Sequence, residues 1–380
     1  MTVITHKTTK TSSAAGSDVQ SRYVIRETTN GKDAIWDAYL ENLPHGSHVQ
    51  TSLWAQVKGW SGWRVTRVLV TDGGQVVAGA QMLIRKSRFL GNIAYIPKGP
   101  VFENFDPRLG QLLLFRLLDV ASNNDVRALF VQPAHDDAGF TNELVKAGFC
   151  QCPVETTPSA TVIVDLRHDE DAILARMKKG MRNGIRRSQR NGIKVREGTV
   201  DDLPMFHRLL VATSGRRGFE PFTLRYFQHM WTILNPYGYI KLFLAEFENE
   251  AISAQLVIPF GNTVVAKQIG WSGCHGNLKP NEGLDWGTMQ WAKSNRYDFY
   301  DLEGIEPEVA SVVLKGQPIP TSFADSPTHY KMRLGGDIKV SPGAYCYFSN
   351  SMLRLAYNRI GDTVIKWPIV KKAVGRFRTN

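Results

Sequence analysis

The chain has 380 residues, 43% hydrophobic and 21% charged, with a net charge of +11 and four cysteines. That length suggests at least two domains, and the composition excludes a collagen, a coiled coil or a wholly disordered chain. No run of about 18 apolar residues is present, so a transmembrane helix is not expected, and so few cysteines argue for a reducing compartment rather than a disulfide framework.

Residues 1–21 are rich in Ser and Thr and lack an apolar stretch, which predicts a disordered lead-in rather than a secretory signal. Asp33–Leu43 has helical spacing, with Ile35, Trp36, Tyr39, Leu40 and Leu43 on one side. Val65–Ile84 alternates as two strands around Asp72-Gly73-Gly74, a hairpin signal. A strand at Tyr95–Pro97, a buried helix at Leu109–Ser122, a strand at Arg127–Val131, a helix at Gly139–Gly148 and a strand at Thr161–Asp165 complete a first set. The second set starts with a basic helix over Asp169–Asn191, its acids in the first turn where they suit the helix dipole. Helices at Asp201–Ser214, opened by Thr199, and at Thr223–Leu234 follow. Then come a hairpin of Leu242–Phe247 with Ala251–Pro259, a strand at Val264–Trp271, a helix at Glu282–Asn295 and a strand at Asp298–Leu302. At the C-terminus, Ser351–Thr363 is expected to pack as a helix.

The two sets read as copies. VTDGGQVVAGAQMLI at Val70–Ile84 aligns with LAEFENEAISAQLVI at Leu244–Ile258, both carrying Ala-Gln-x-x-Ile after a turn. Such self-similarity predicts two tandem α/β (α+β) domains, each a mixed sheet flanked by helices. The expected division is 1–21 lead-in, 22–165 first domain, 166–336 second domain, and a basic segment at 337–380 packing back on the first.

Charge is concentrated. Ala172–Lys194 holds eight Lys or Arg and no acid, and Ser351–Asn380 holds seven against one acid. Local basic patches on a near-neutral body suit a polyanion: nucleic acid, anionic lipid or a phosphorylated substrate. A solvated face is the plainer alternative. Within the basic helix, Lys179, Arg182, Arg186 and Arg190 form a stripe able to grip phosphates without reading sequence. No phosphate loop, nucleophile elbow or His-Glu-x-x-His is present, and Cys150-Gln-Cys152 has no second pair at metal spacing. His168, His207, His229 and His329 sit near polar neighbours without any one standing out as a base. No cofactor and no metal are expected.

The hairpin-plus-helices pattern is similar to the GNAT-like (acyl-CoA N-acyltransferase-like) superfamily. Its pyrophosphate motif has a near match at Arg88–Ile93 that fails at the last position, which disfavours coenzyme A as donor. Motif by motif, the chain resembles more closely the Fem (FemABX) family of aminoacyl-tRNA-dependent peptidoglycan peptidyltransferases, lipid II:glycine glycyltransferase-like enzymes. The motifs, in the family's order, are QTSLWAQVKGWSGW (Gln50–Trp63), YIPKGPVFE (Tyr95–Glu103), MKKGMRNGIRRSQRNGIKV (Met177–Val195), RRGFEPFTLRYFQHM (Arg216–Met230), MQWAKSNRYDFYDLEGI (Met289–Ile305) and HYKMRLGGD (His329–Asp337).

The resemblance implies a cytoplasmic aminoacyltransferase, monomeric and open to peripheral contact with the inner face of the membrane. It would move an amino acid from aminoacyl-tRNA to an amine of a lipid-linked or nucleotide-linked muropeptide, in cell-wall synthesis. Lys331 matches the lysine that stabilises the oxyanion, with Tyr330 where Phe is usual, and Lys58 matches a phosphate-holding lysine. Tyr226 matches a substrate-contacting tyrosine, and Glu103 falls where an Asp is usual. Two departures fall on the acceptor side: Phe222 occupies an arginine position, which Arg217 or Arg225 could fill only from elsewhere, and Gln268 and Gly270 stand where tyrosines are usual. A small-molecule or peptide acceptor is therefore a second reading, with an acyl-CoA N-acyltransferase and a non-catalytic binding module as rivals from other classes. Amide transfer from an ester needs proximity and one fixed cation, not a triad or metal. The proton acceptor is left open between Glu103, Asp301 and water.

Overall fold

The computed structural model describes residues 22–87, 91–134, 138–152 and 155–350, with Arg354, Leu355 and Tyr357. The expected lead-in, Arg88–Leu90 of the pyrophosphate comparison and the rest of the helix expected over Ser351–Thr363 lie outside the described residues.

The chain runs β1 (Tyr23–Thr28), α1 (Ala34–Asn42), α2 (Ser52–Gly59), β2 (Arg64–Asp72), β3 (Gln75–Ser87), β4 (Gly91–Pro97) and β5 (Val101–Phe102). Next come α3 (Pro107–Asn123), β6 (Val126–Gln132), α4 (Ala138–Lys146), β7 (Cys150–Cys152) and β8 (Ala160–Asp165). Then follow α5 (Glu170–Arg176), α6 (Lys179–Arg190), β9 (Lys194–Glu197), α7 (Leu203–Arg217), α8 (Leu224–Leu234), β10 (Lys241–Phe247), β11 (Glu250–Phe260) and β12 (Thr263–Trp271). Last are α9 (Pro280–Ser294), β13 (Phe299–Gly304), α10 (Pro307–Leu314), α11 (Pro327–Met332), β14 (Asp337–Val340) and β15 (Ala344–Phe348).

Local chemistry sets the boundaries. Asp33 caps α1 by accepting from Trp36 N at 3.2 Å. Gly73 and Gly74 both take positive φ at the β2–β3 turn, and Glu248 and Asn249 do so at β10–β11, the backbone a two-residue hairpin needs. α1, α3, α4, α8 and both hairpins stand close to where periodicity puts them. The basic helix does not. It breaks at Met177-Lys178, both extended. Met177 is buried in the core, Lys178 N donates to Arg333 O at 3.0 Å, and Arg182 turns back to cap Met177 O. Tertiary bonds at that point outweigh continuous helix.

Two mixed sheets share one wiring. The first has order β1-β2-β3-β4-β6-β15-β7, with β5 also on β3, and the second has order β14-β8-β13-β12-β11-β10-β9. In each, a hairpin is followed by a third antiparallel strand, then by a parallel partner reached through a helix: β4 to β6 across α3, and β12 to β13 across α9. The repeated Ala-Gln falls at the same place in both. Ala80 and Ala254 are fully buried, and Gln81 and Gln255 anchor buried polar networks. Each sheet then takes a strand from outside its own run. β8 pairs with β13 and β14 in the second sheet, and β15 with β6 and β7 in the first. The boundary read from sequence at 165/166 thus falls after a strand hydrogen-bonded to the second sheet. Asp337–Val340 belongs to that sheet too, before the chain returns to the first.

The halves meet in an apolar core. Leu53, Trp54 and Val57 of α2 pack with Phe206 of α7 and Phe227 and Met230 of α8. No helix among the described residues is long and apolar enough to cross a membrane.

Candidate active site

A cavity of about 230 Å³ opens where α2, the end of β4, residues 156–158, α8 and β12 meet. Trp54, Phe222, Tyr226 and Phe227 form its apolar side. Lys58, Lys98 and Lys267 add positive charge, and Glu303 is the carboxylate in the lining. Lys267 and Glu303 form an ion pair.

Lys58 is fixed by how α2 begins and ends. Thr51 caps the helix by accepting from Trp54 N at 3.1 Å, and the buried Gln50 side chain ties this segment to Pro97 O of β4 at 2.7 Å. Lys58, in the last turn, is 5% exposed. Its Nζ lies 5.9 Å from the Trp54 ring, which Lys267 Nζ approaches to 5.8 Å. Burial, then Lys267 and Arg85, pushes its ammonium down to about 8. Lys98 holds a left-handed φ of 45°, uncommon for a residue with a Cβ.

α8 brings Tyr226 to the same cavity. Its ring stacks on Phe222 with centroids 4.3 Å apart, and burial pushes its phenol up. Phe222 therefore occupies the cavity wall itself. The proposed substitutes are elsewhere: Arg217 donates to Asp325 O at 3.1 Å, and Arg225 is exposed. Gln268 lines the cavity. At Gly270 a Cβ would lie 2.6 Å from Leu210 N of α7, so the packing of α7 on β12 leaves no room for a side chain there.

Lys331 stands beside the cavity rather than in its lining. From α11 its Nζ donates to Gly304 O at 2.7 Å, next to Glu303. Burial lowers its ammonium, against Glu303, Asp301 and Asp285, which raise it. Ser326 caps α11, accepting from His329 N at 3.1 Å. Tyr330 anchors the same helix in a buried chain of bonds. Its hydroxyl donates to Asp285 Oδ2 at 2.7 Å, Gln255 donates to Asp285 Oδ1 at 2.8 Å, and Tyr300 donates to Gln255 Oε1 at 2.8 Å. Burial pushes Asp285 up to about 6 in spite of these donors. Tyr330→Phe should cost about 1–3 kcal/mol by leaving Asp285 short of a donor, read as a lower denaturation midpoint. An unchanged midpoint would mean that the hydroxyl bond does not form in solution.

The basic helix begins at this same place, because the Lys178–Arg333 bond joins the start of α6 to the end of α11. Lys179, Arg186, Arg187 and Arg190 are exposed along α6. Arg182 is half-buried, its guanidinium spent on Ala175 O and Met177 O. Met181, Gly184, Ile185 and Ser188 form the buried side. A Cβ at Gly283 would fall 2.0 Å from Ser188 Oγ, so glycine there lets α6 sit tightly on α9.

Glu103 does not join the cavity. It lies just past β5, its N donating to Val77 O at 2.9 Å, and it is exposed. Asp301 is buried, accepting from Thr161 Oγ1 and, at 2.7 Å, from Glu303 N. Conversely, His48, Lys98, Thr157, Lys267 and Glu303 reach the cavity without having been singled out from sequence. Lys98 and Glu303 lie inside the quoted motifs, and that was their signal. His48, Thr157 and Lys267 had none.

A protein-family model described as the FemAB family matches residues 32–147 and 150–251. A lipid II:glycine glycyltransferase of Staphylococcus epidermidis is 25% identical over 241 residues, covering 58% of this chain and 58% of that protein. The match thus spans little more than half of that relative's length. Among solved structures, FemX superposes with a TM-score of 0.74 at 19% identity, over 87% of this chain and 99% of that one. A tandem GNAT protein from the clavulanic acid biosynthesis pathway gives 0.51 at 11% identity, over 86% and 99%. The fold is therefore a tandem GNAT-like one.

Proposed function

The chain belongs to the FemAB family, and from that premise we propose that it is an aminoacyltransferase. It moves an amino acid from aminoacyl-tRNA to an amine of a peptidoglycan precursor. The observation that carries this reading is the position of Lys331: one neighbour of its helix is the cationic cavity, the other is the start of the basic helix. The cavity takes the anionic acceptor and α6 the tRNA backbone, so that the two substrates meet at one lysine.

In this scheme the acceptor amine attacks the ester carbonyl carbon. The C–N bond forms, the carbonyl oxygen becomes an oxyanion, and Lys331 stabilises it. Collapse breaks the ester C–O bond and releases the tRNA hydroxyl. The amine proton passes to a carboxylate or water and from there to the leaving tRNA oxygen, and Glu303 is the carboxylate that the lining supplies. Lys58 holds the acceptor's anionic group, and Tyr226 and Phe222 shape the wall beside it. The enzyme works as a monomer in the cytoplasm, touching the inner membrane face when the acceptor is lipid-linked.

The direct test is transfer of radiolabel from a pool of charged tRNA to nucleotide-linked and lipid-linked muropeptides by the purified protein. Labelled muropeptide is the expected product. Binding of charged tRNA without transfer to either acceptor would overturn the acceptor, and the small-molecule or peptide reading would replace it. Reversing Arg186 and Arg190 to Glu should weaken tRNA binding and flatten its salt dependence, the slope falling by about 0.7–0.9 for each phosphate that the helix no longer neutralises. Unchanged affinity would make α6 a solvated face. Arg182 is left out of that variant because its guanidinium caps the α5–α6 break.

A further inference from the structure

Cys150, Cys152 and Cys346 meet on one face of the first sheet, at its β7 edge. β7 pairs antiparallel with β15, which sets Cys150 directly opposite Cys346 and Cys152 opposite Ala344. Residues two apart share a strand face, so both β7 thiols lie on the side that Cys346 occupies. Cys150 Sγ stands 3.5 Å from Cys346 Sγ. Directly opposed antiparallel residues have Cα atoms about 4.5–5.5 Å apart, inside the range of about 4.4–6.8 Å that a disulfide spans. A bond between these two thiols therefore needs no change of register.

The pair differs in access. Cys150 is half-buried on the edge strand, whereas Cys346 is fully buried on a strand flanked by β6 and β7. Cys150 is thus the member that a reagent from solvent meets. A hydrogen bond to Cys152, then burial, pushes the Cys346 thiol up. The thiolate is the attacking form, so Cys346 suits the second step of an exchange and not the first. Their places in the chain also matter. β7 is the last strand before the chain enters the second sheet at β8, and β15 is the first after it leaves at β14. A Cys150–Cys346 bond would close a loop that holds every strand of the second sheet, and Lys331 with them.

We propose that Cys150 is an exchange site for a low-molecular-weight disulfide, and that Cys346 resolves the adduct into a cross-strand disulfide stapling the two ends of the second half. The Cys150 thiolate attacks one sulfur of the small disulfide; that S–S bond breaks and one small thiol leaves. Cys346 then gives its proton to solvent and attacks Cys150 Sγ, expelling the second small thiol. One disulfide is reduced and one is formed, so the electrons balance. Closing so long a loop restricts the unfolded chain, and the oxidised protein should resist unfolding more than the reduced one. Excess small thiol reverses the exchange. The staple is independent of which substrates the cavity takes.

The test uses the full chain carrying Cys274→Ser, which removes the exposed thiol outside the cluster. The folded protein is incubated with glutathione disulfide, alkylated and mapped by peptide mass spectrometry. A linked Cys150–Cys346 peptide is expected, with Cys152 the thiol that alkylation still labels. The denaturant midpoint should rise on oxidation and return with dithiothreitol. Adding Cys346→Ser should halt the reaction at a glutathione adduct on Cys150. Adding Cys150→Ser should abolish adduct and link and leave the midpoint indifferent to glutathione disulfide. A Cys150–Cys152 link, or a glutathione adduct on Cys150 that never closes while Cys346 is present, would overturn the resolving role. An unmodified Cys150 would overturn the site, and a Cys150–Cys346 link without a higher midpoint would overturn the staple.

Discussion

Lys331→Ala should lower transfer from charged tRNA by about 100–1,000-fold while leaving tRNA affinity unchanged. The lysine is half-buried, with its Nζ already tethered to Gly304 O, so little reorganisation is needed to meet a developing oxyanion. Its ammonium is lowered by burial yet surrounded by Glu303, Asp301 and Asp285, which favour the charged form. Alanine removes the cation without touching α6, where tRNA is proposed to bind. Single-turnover transfer and tRNA binding, measured on the same preparation, separate the two. Full turnover in the variant would eliminate the oxyanion role. Loss of tRNA binding with loss of turnover would instead make Lys331 part of the tRNA site.

Lys58→Met should have two opposite effects. Affinity for the anionic acceptor should fall on the order of 100-fold, because a buried charge partner is lost. Stability should rise. The folded protein holds Lys58 at about 8, below its ordinary 10.5, chiefly through burial. Keeping it charged in the unliganded fold therefore costs on the order of 3 kcal/mol. That penalty is complete below about pH 8 and fades as pH rises from there toward 10.5. The variant should consequently gain most at pH 7 and little at pH 10, measured as denaturant midpoints across pH. Wild-type acceptor affinity should also weaken as pH rises through about 8, a dependence that the variant lacks. A variant less stable than wild type at pH 7 would show that Lys58 is a structural cation and not a ligand-directed one.

Three residues of the candidate site carry a signal in the sequence. Lys58, Tyr226 and Lys331 sit in short motifs whose local structure is helical, and the fold brings Lys58 and Tyr226 to one cavity with Lys331 beside it. Glu103 does not join them: it lies just past the two-residue β5 and is exposed, a placement that no local periodicity marks. The basic stripe was legible as charge, but not the diversion of Arg182 into a backbone cap. Phe222 read as a departure, and the structure gives it a place, stacked on Tyr226 in the wall.

Most helices, the hairpin turns and the charge clusters were determined by the sequence itself, the basic helix excepted at its Met177-Lys178 break. Each depends on residues within a few positions of one another, through capping, side-chain period and turn conformation. Tertiary structure alone decided which strands are neighbours, so that β8 joins the second sheet and β15 the first. It also decided that His48, Lys98, Thr157, Lys267 and Glu303 face one cavity with Lys58 and Tyr226. The reason is physical. Strand neighbours and cavity walls are set by hydrogen bonds and packing between residues far apart in the chain, which no local pattern of side chains encodes.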